Sequence, residues 1–125
     1  MKTYNGNKNG FQNQISIYQQ NVQGKTMSLK DQISTVEILL KKLSPDILII
    51  SEANTVNICN WVYPGYSAHM GFMKGYELVR VSALVKNSLK HTITHLDVEV
   101  PNIVINFQLS GKQHRVTGCY REWNV

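Results

Sequence analysis

Ile47-Leu48-Ile49-Ile50 is the stretch that most limits how this chain can fold. Four consecutive aliphatic residues on an extended backbone point alternately to both faces, so both faces must be covered. Such a strand belongs in the middle of a sheet with a layer on each side. Ser28 to Leu43, just upstream, supplies one layer. It places Leu29, Ile33, Val36, Leu40 and Leu43 on one stripe of an amphipathic helix. Ser28 is a favoured N-cap residue, and Asp31 stands three positions on, facing the positive helix end. Lys41 and Lys42 complement the other end. Pro45 stops the helix, because the residue before a proline avoids helical backbone angles. Ile15 to Val22 reads as an earlier strand, with Ile15 and Ile17 on one face and Tyr18 and Val22 on the other, ended by Gly24. Strand, helix and strand within about 35 residues make a βαβ unit with a right-handed crossover.

Asn57 to Gly75 reads as irregular, with turns at Pro64-Gly65 and Gly71. From Val79 onward the periodicity is two. Val79, Val81, Ala83 and Val85 form one alternating run, Leu96, Val98 and Val100 a second, and Ile103, Ile105, Phe107 and Leu109 a third. Pro101-Asn102 and Ser110-Gly111-Lys112 are the turns, and His114 to Tyr120 is the last strand. The expected fold class is α/β: a βαβ start followed by an antiparallel β-meander. Residues 1–14 hold Asn-Gly twice and few apolar groups, which predicts a flexible polar leader before a domain spanning 15–125.

With 125 residues the chain suits a single core. Its net charge of +5 and pI near 9.3 favour polyanion partners such as nucleic acid, or serve solubility alone. The lysines and arginines are scattered and form no basic stripe. The longest aliphatic run is far too short to cross a bilayer, and no apolar leader is visible, so no membrane partner and an intracellular location, cytoplasmic or nuclear, are expected. Cys59 and Cys119 have no metal-type spacing and read as reduced thiols. His69, His91, His95 and His114 read as solvated surface residues, His91 and His95 from the polar parity of their strand.

In open α/β sheets, ligands gather at the carboxyl ends of the parallel strands. Asn21 ends the first strand and Glu52 follows the second. Neighbouring strands lie about 4.8 Å apart, so these two side chains can share one rim. A carboxylate beside an amide suits a hard divalent cation, since Mg2+ often takes one or two carboxylates plus water and phosphate. It equally suits a solvated residue where a strand meets a loop.

The ordered set of motifs resembles the opening of the endonuclease/exonuclease/phosphatase superfamily, which includes abasic-site endonucleases, deoxyribonucleases and retroelement endonuclease domains. The set comprises Asn21-Val22-Gln23-Gly24, the amphipathic helix, Pro45-Asp46, Ile47 to Ile50, Ser51-Glu52 and a strand ending in Tyr120-Arg121-Glu122-Trp123. The last motif is especially similar to endonuclease domains encoded beside reverse transcriptases. The resemblance runs from Ile15 to Trp123 and implies the N-terminal half of a four-layer α/β sandwich, each half supplying one sheet. It implies a hydrolase cofactor, Mg2+ with Mn2+ as a substitute, and DNA as the partner of full-length members. Glu52 would bind the metal, Asn21 would position catalytic groups, and the Tyr120 hydroxyl would contact the scissile phosphate. Asn54 and Arg121 are the substrate-contact candidates; Arg121 either grips a phosphate or pairs with Glu122. Gln23 stands where some members carry an acidic residue. The family's later Gly-Asp-x-Asn segment, further aspartate and terminal Ser-Asp-His are not found in these 125 residues. The expectation is therefore a truncated domain, inactive alone, with an unclosed sheet open to self-association. The alternative is a non-catalytic module that binds nucleic acid or protein on the same half-fold.

Overall fold

A computed structural model describes residues 2–5, 14–23, 26–53, 55–75 and 79–121. Gly24, Asn54, Tyr76, Glu122 and Trp123 lie outside the described residues, as do 6–13 of the expected leader. The elements run β1 (Lys2–Asn5), β2 (Gln14–Asn21), α1 (Leu29–Leu43), β3 (Ile47–Ser51), α2 (Thr55–Asn60), β4 (Tyr66–Met70), β5 (Val81–Lys86), β6 (His91–Thr94), β7 (Asn102–Leu109) and β8 (Lys112–Cys119). Lys2–Asn5, placed by sequence in the leader, pair antiparallel with β2 instead.

The βαβ start forms as its sequence dictates. Ser28 caps α1 through its hydroxyl, which accepts the Asp31 N–H. At the other end Ser44 adopts left-handed geometry and its N–H closes on the Leu40 carbonyl. Asp46 then fastens the two parallel strands at their entry, its carboxylate accepting the Ser16 N–H at 2.9 Å. β2 and β3 pair in parallel, with Asn21 opposite Ser51.

The sheets differ from expectation. The meander does not extend one sheet; it divides between two, a five-stranded sheet ordered β1-β2-β3-β5-β4 and a three-stranded sheet ordered β6-β7-β8. Leu89, buried in the turn after β5, marks the point where the chain crosses from one to the other. A chain crossing between sheets keeps its two-residue period, so alternation alone does not show the change. Ile15, Ile47, Ile49, Val81, Ala83 and Val85 face Ile103, Ile105, Phe107 and Leu109 across the sandwich. The opposite face of the large sheet carries Leu48, Ile50 and Leu84 against Val36 and Leu40 of α1 and Ile58 of α2. The described residues therefore stack as helix layer, sheet and sheet, and β3 is buried on both faces as its composition requires.

Two further segments depart from the sequence reading. β4 lies in the stretch read as irregular, an edge strand whose small and amphipathic side chains leave the alternation weak. Leu96, Val98 and Val100 do not form a strand; they are 42%, 42% and 36% exposed. Their backbone folds around the buried side chain of Asn102 at the start of β7. That amide accepts the Leu96 N–H at 2.7 Å and donates to the carbonyls of Leu96, Val100 and Phe72 at 3.0, 2.9 and 3.3 Å. One side chain thus supplies what a neighbouring strand would have supplied.

The histidines also differ. The strand holding His91 spans only His91–Thr94, so its inward parity is His91 and Ile93, and Ile93 packs on the inter-sheet core. His91 on β6 meets His69 on β4, with their Nε2 atoms 3.0 Å apart. The pair joins an edge strand of one sheet to an edge strand of the other.

Asn102→Ala removes the partner of the Leu96 N–H and of the Val100 carbonyl, while the Phe72 and Leu96 carbonyls keep backbone N–H donors, and it should cost about 2–4 kcal/mol in urea unfolding. The histidine pair predicts a pH dependence. Burial first, and the neighbouring His91 second, lower the His69 pKa below its ordinary 6.5. Between that lowered value and 6.5 the unfolded chain binds more protons, so stability is full above pH 6.5 and falls as the pH drops through this window. Urea midpoints at pH 7.5 and pH 5.5 should differ more for the native chain than for His69→Gln.

Candidate active site

β3 delivers Glu52 to the carboxyl end of the parallel pair, one residue past the Asn21–Ser51 register. Glu52 leaves the strand with φ +61°, a left-handed conformation that costs a non-glycine residue about 1–2 kcal/mol. Arg80 holds it there. The Glu52 N–H donates to the Arg80 carbonyl at 2.9 Å, and the Arg80 guanidinium reaches the Glu52 carbonyl at 3.4 Å. Strain maintained by surrounding contacts is typical of functional positions.

The half-buried carboxylate meets Tyr120. The tyrosine hydroxyl donates to Glu52 Oε1 at 2.7 Å, joining residues 68 positions apart. Two features of the second sheet make this contact possible. The Tyr120 N–H is tied to the Pro101 carbonyl at 3.1 Å. Gly118, two residues earlier, lies so close to β3 that a Cβ there would stand 2.9 Å from Ile49 Cγ2. Only a residue without a side chain lets β8 approach this far.

Asn21 stands on the same rim but its amide oxygen is engaged locally. Oδ1 accepts the Gln23 N–H at 2.7 Å, an Asx turn that shapes the exit from β2. Arg121 is exposed next to Tyr120. Among the described residues no group of three or more His, Cys, Asp or Glu side chains is placed to hold a metal. Glu52 alone still fits a magnesium-type ion. A carboxylate has about four acceptor positions and the tyrosine occupies one, while such ions complete their shell with water and phosphate.

Arg80 is the residue that sequence reading missed, having been counted among scattered surface charges. It is half-buried, and its Nε is buried with no hydrogen-bond partner among the described residues. The available signal was its position, a lone cation between Val79 and Val81 at the start of an apolar strand. Burial pushes the Cys59 thiol up to about 12, which disfavours the reactive thiolate.

No family model matches the sequence, and no curated protein does. Solved structures do match the fold. The chain is similar to a humanized D. rerio TDP2 carrying 14 mutations, with TM-score 0.64 and 17% identity over 88% of this chain and 48% of that one. D. rerio TDP2 complexed with a single-strand DNA product gives 0.64 and 18%, over 87% and 46%. The endonuclease domain of TRAS1, a telomere-specific non-LTR retrotransposon, gives 0.57 and 15%, over 86% and 46%. The chain thus spans about half the length of each of these structures.

The strain at position 52 is measurable. Glu52→Gly and Glu52→Ala both lose the carboxylate, but only glycine relaxes at positive φ. Glu52→Gly should be the more stable of the two by about 1 kcal/mol in chemical denaturation. Equal stabilities would show that position 52 carries no backbone strain.

Proposed function

We propose that this chain is part of a magnesium-dependent phosphodiester-cleaving endonuclease domain of retroelement type, with DNA as substrate, and that it is inactive or nearly so alone. The observation carrying this reading is the 2.7 Å bond between Tyr120 and Glu52 at the carboxyl end of β3. Two motifs distant in sequence converge where an open α/β sheet binds its ligand. The fold shared with TDP2 and the TRAS1 endonuclease domain supports it, as does the single-strand DNA in one TDP2 structure.

In this reading Glu52 holds the ion, and Mn2+ can replace Mg2+. The ion would supply Lewis-acid polarisation of a phosphoryl oxygen. The chain's own residues do the positioning. Tyr120 orients the carboxylate and, released from it, can donate to a phosphate oxygen. Arg80 fixes the Glu52 backbone, and Arg121 offers a fork of donors to the phosphodiester backbone. Asn21 shapes the rim through its turn, and Asn54 remains a substrate-contact candidate. The aspartate that activates water and the histidine that stabilises the transition state in the resembled family have no motif in these 125 residues. Removing such groups costs several orders of magnitude in rate.

A second reading, a non-catalytic binding module, draws on the exposed Met70, Phe72, Leu96, Val98 and Val100 on adjoining segments. Apolar surface of this kind suits a protein partner, including a second copy of the chain.

Purified chain incubated with supercoiled plasmid and Mg2+ should show no nicking above buffer. Mn2+ should nonetheless bind, and Glu52→Gln should weaken that binding at least about tenfold by titration calorimetry. Robust nicking abolished by Glu52→Ala would overturn the inactivity. Mn2+ binding indifferent to Glu52→Gln would remove the metal seat and favour the binding module.

A further inference from the structure

We propose that His69 and His91 form a second metal seat, separate from Glu52, for a divalent transition-metal ion of the zinc, nickel or copper class. The two side chains come from different sheets and converge at Nε2, 3.0 Å apart, with their rings steeply inclined at 79°. Two imidazole nitrogens bound at about 2.0–2.1 Å to one ion stand about 3.3 Å apart at zinc's tetrahedral angle and about 2.9 Å apart at the right angle of square-planar nickel or copper. The free pair is already within that range, so a small rotation of the rings admits the ion.

The tautomers support the same reading. His91 Nδ1 lies 2.7 Å from the Leu89 carbonyl, which can only accept, so the Nδ1 proton is fixed there and the Nε2 lone pair is bare. A ligating histidine almost always donates its other N–H to a carbonyl or carboxylate in this manner. In the ion-free pair His69 donates its Nε2 proton to His91. On binding, His69 carries its proton at Nδ1 instead and presents Nε2 to the ion, so the proton count is unchanged.

The class of ion follows from the donors. Imidazole nitrogen suits zinc, nickel and copper, whereas magnesium prefers oxygen. Among the described residues no third His, Cys, Asp or Glu joins the pair, so water completes the shell. Because β4 and β6 are edge strands of separate sheets, the bound ion fastens one sheet to the other. Its binding energy is then realised as stability of the fold.

Thermal unfolding of the chain with excess Ni2+ or Zn2+, against a chelator control, tests this. The Tm should rise by at least about 5 °C, and Mg2+ should not reproduce the rise. His69→Gln keeps a side-chain N–H for His91 and should abolish the rise, while Glu52→Gln and His114→Gln should retain it. In the native chain, NMR of the ring Cε1 protons during Zn2+ titration should move the His69 and His91 signals first, a readout that needs no variant to fold. Absence of any Tm rise, a rise that survives in His69→Gln, or early movement of the His95 or His114 signals alone would overturn the proposal.

Discussion

The approach of β8 to β3 at Gly118 is the contact on which the candidate site rests. Packed sheets ordinarily stand about 10 Å apart, separated by two layers of side chains. At Gly118 one of those layers is missing, and the Ile49 side chain fills the gap together with Ile103. The second sheet is drawn down at this point, and the residue two positions on, Tyr120, comes within hydrogen-bonding distance of Glu52. The site is therefore a product of sheet packing. Neither sheet alone brings its two halves together.

This dependence explains what could and could not be read from the chain. Local chemistry was legible. The Ser28 cap, the helix that Pro45 closes and the doubly buried Ile47–Ile50 strand each follow from short-range rules, and the structure contains all three. Glu52 and Tyr120 were singled out by their motifs, and the structure brings their side chains together. The division of the meander into two sheets was not, because a strand alternates inside and outside whichever sheet it joins. The segment from Leu96 to Val100 was misread for a related reason. Its alternation is that of a strand, but one buried amide, Asn102, satisfies its backbone and releases it from any ladder. Misplacing that strand also inverted the parity of His91, turning an inward residue outward. Arg80 was hidden because a single cation among valines carries no period of its own.

Asn21 shows how position and role separate. Strand order alone puts it beside Ser51 and hence on the rim with Glu52. Its amide oxygen nevertheless serves the Gln23 N–H, so in this state its work is to set the turn after β2. A side chain that shapes a turn and one that contacts a ligand can be the same residue in two states. Exchanging the Asx bond for another partner changes a local turn but leaves the parallel pair intact. Glu52 has less freedom, being held at its N–H, its carbonyl and its carboxylate at once.

Two side-chain contacts, Tyr120 to Glu52 and His91 to His69, lie at opposite edges of the smaller sheet, and the Phe72–Asn102 backbone bridge stands between them. Tyr120 follows β8 and grips Glu52 beyond the end of β3, while His91 on β6 grips His69 on β4. The core packed between the sheets is otherwise apolar, and apolar packing alone tolerates sliding better than it tolerates voids. Directional bonds at both margins remove that freedom. The register of β8 over β3, which the Glu52 site requires, is thus fixed partly from the far side of the sheet. Loosening the histidine pair should for that reason be felt at Tyr120, through the body of β7 rather than through any direct contact. Coupling of this kind needs a shared rigid element, and β7, paired along its whole length with β8 and with β6 at its other edge, provides it.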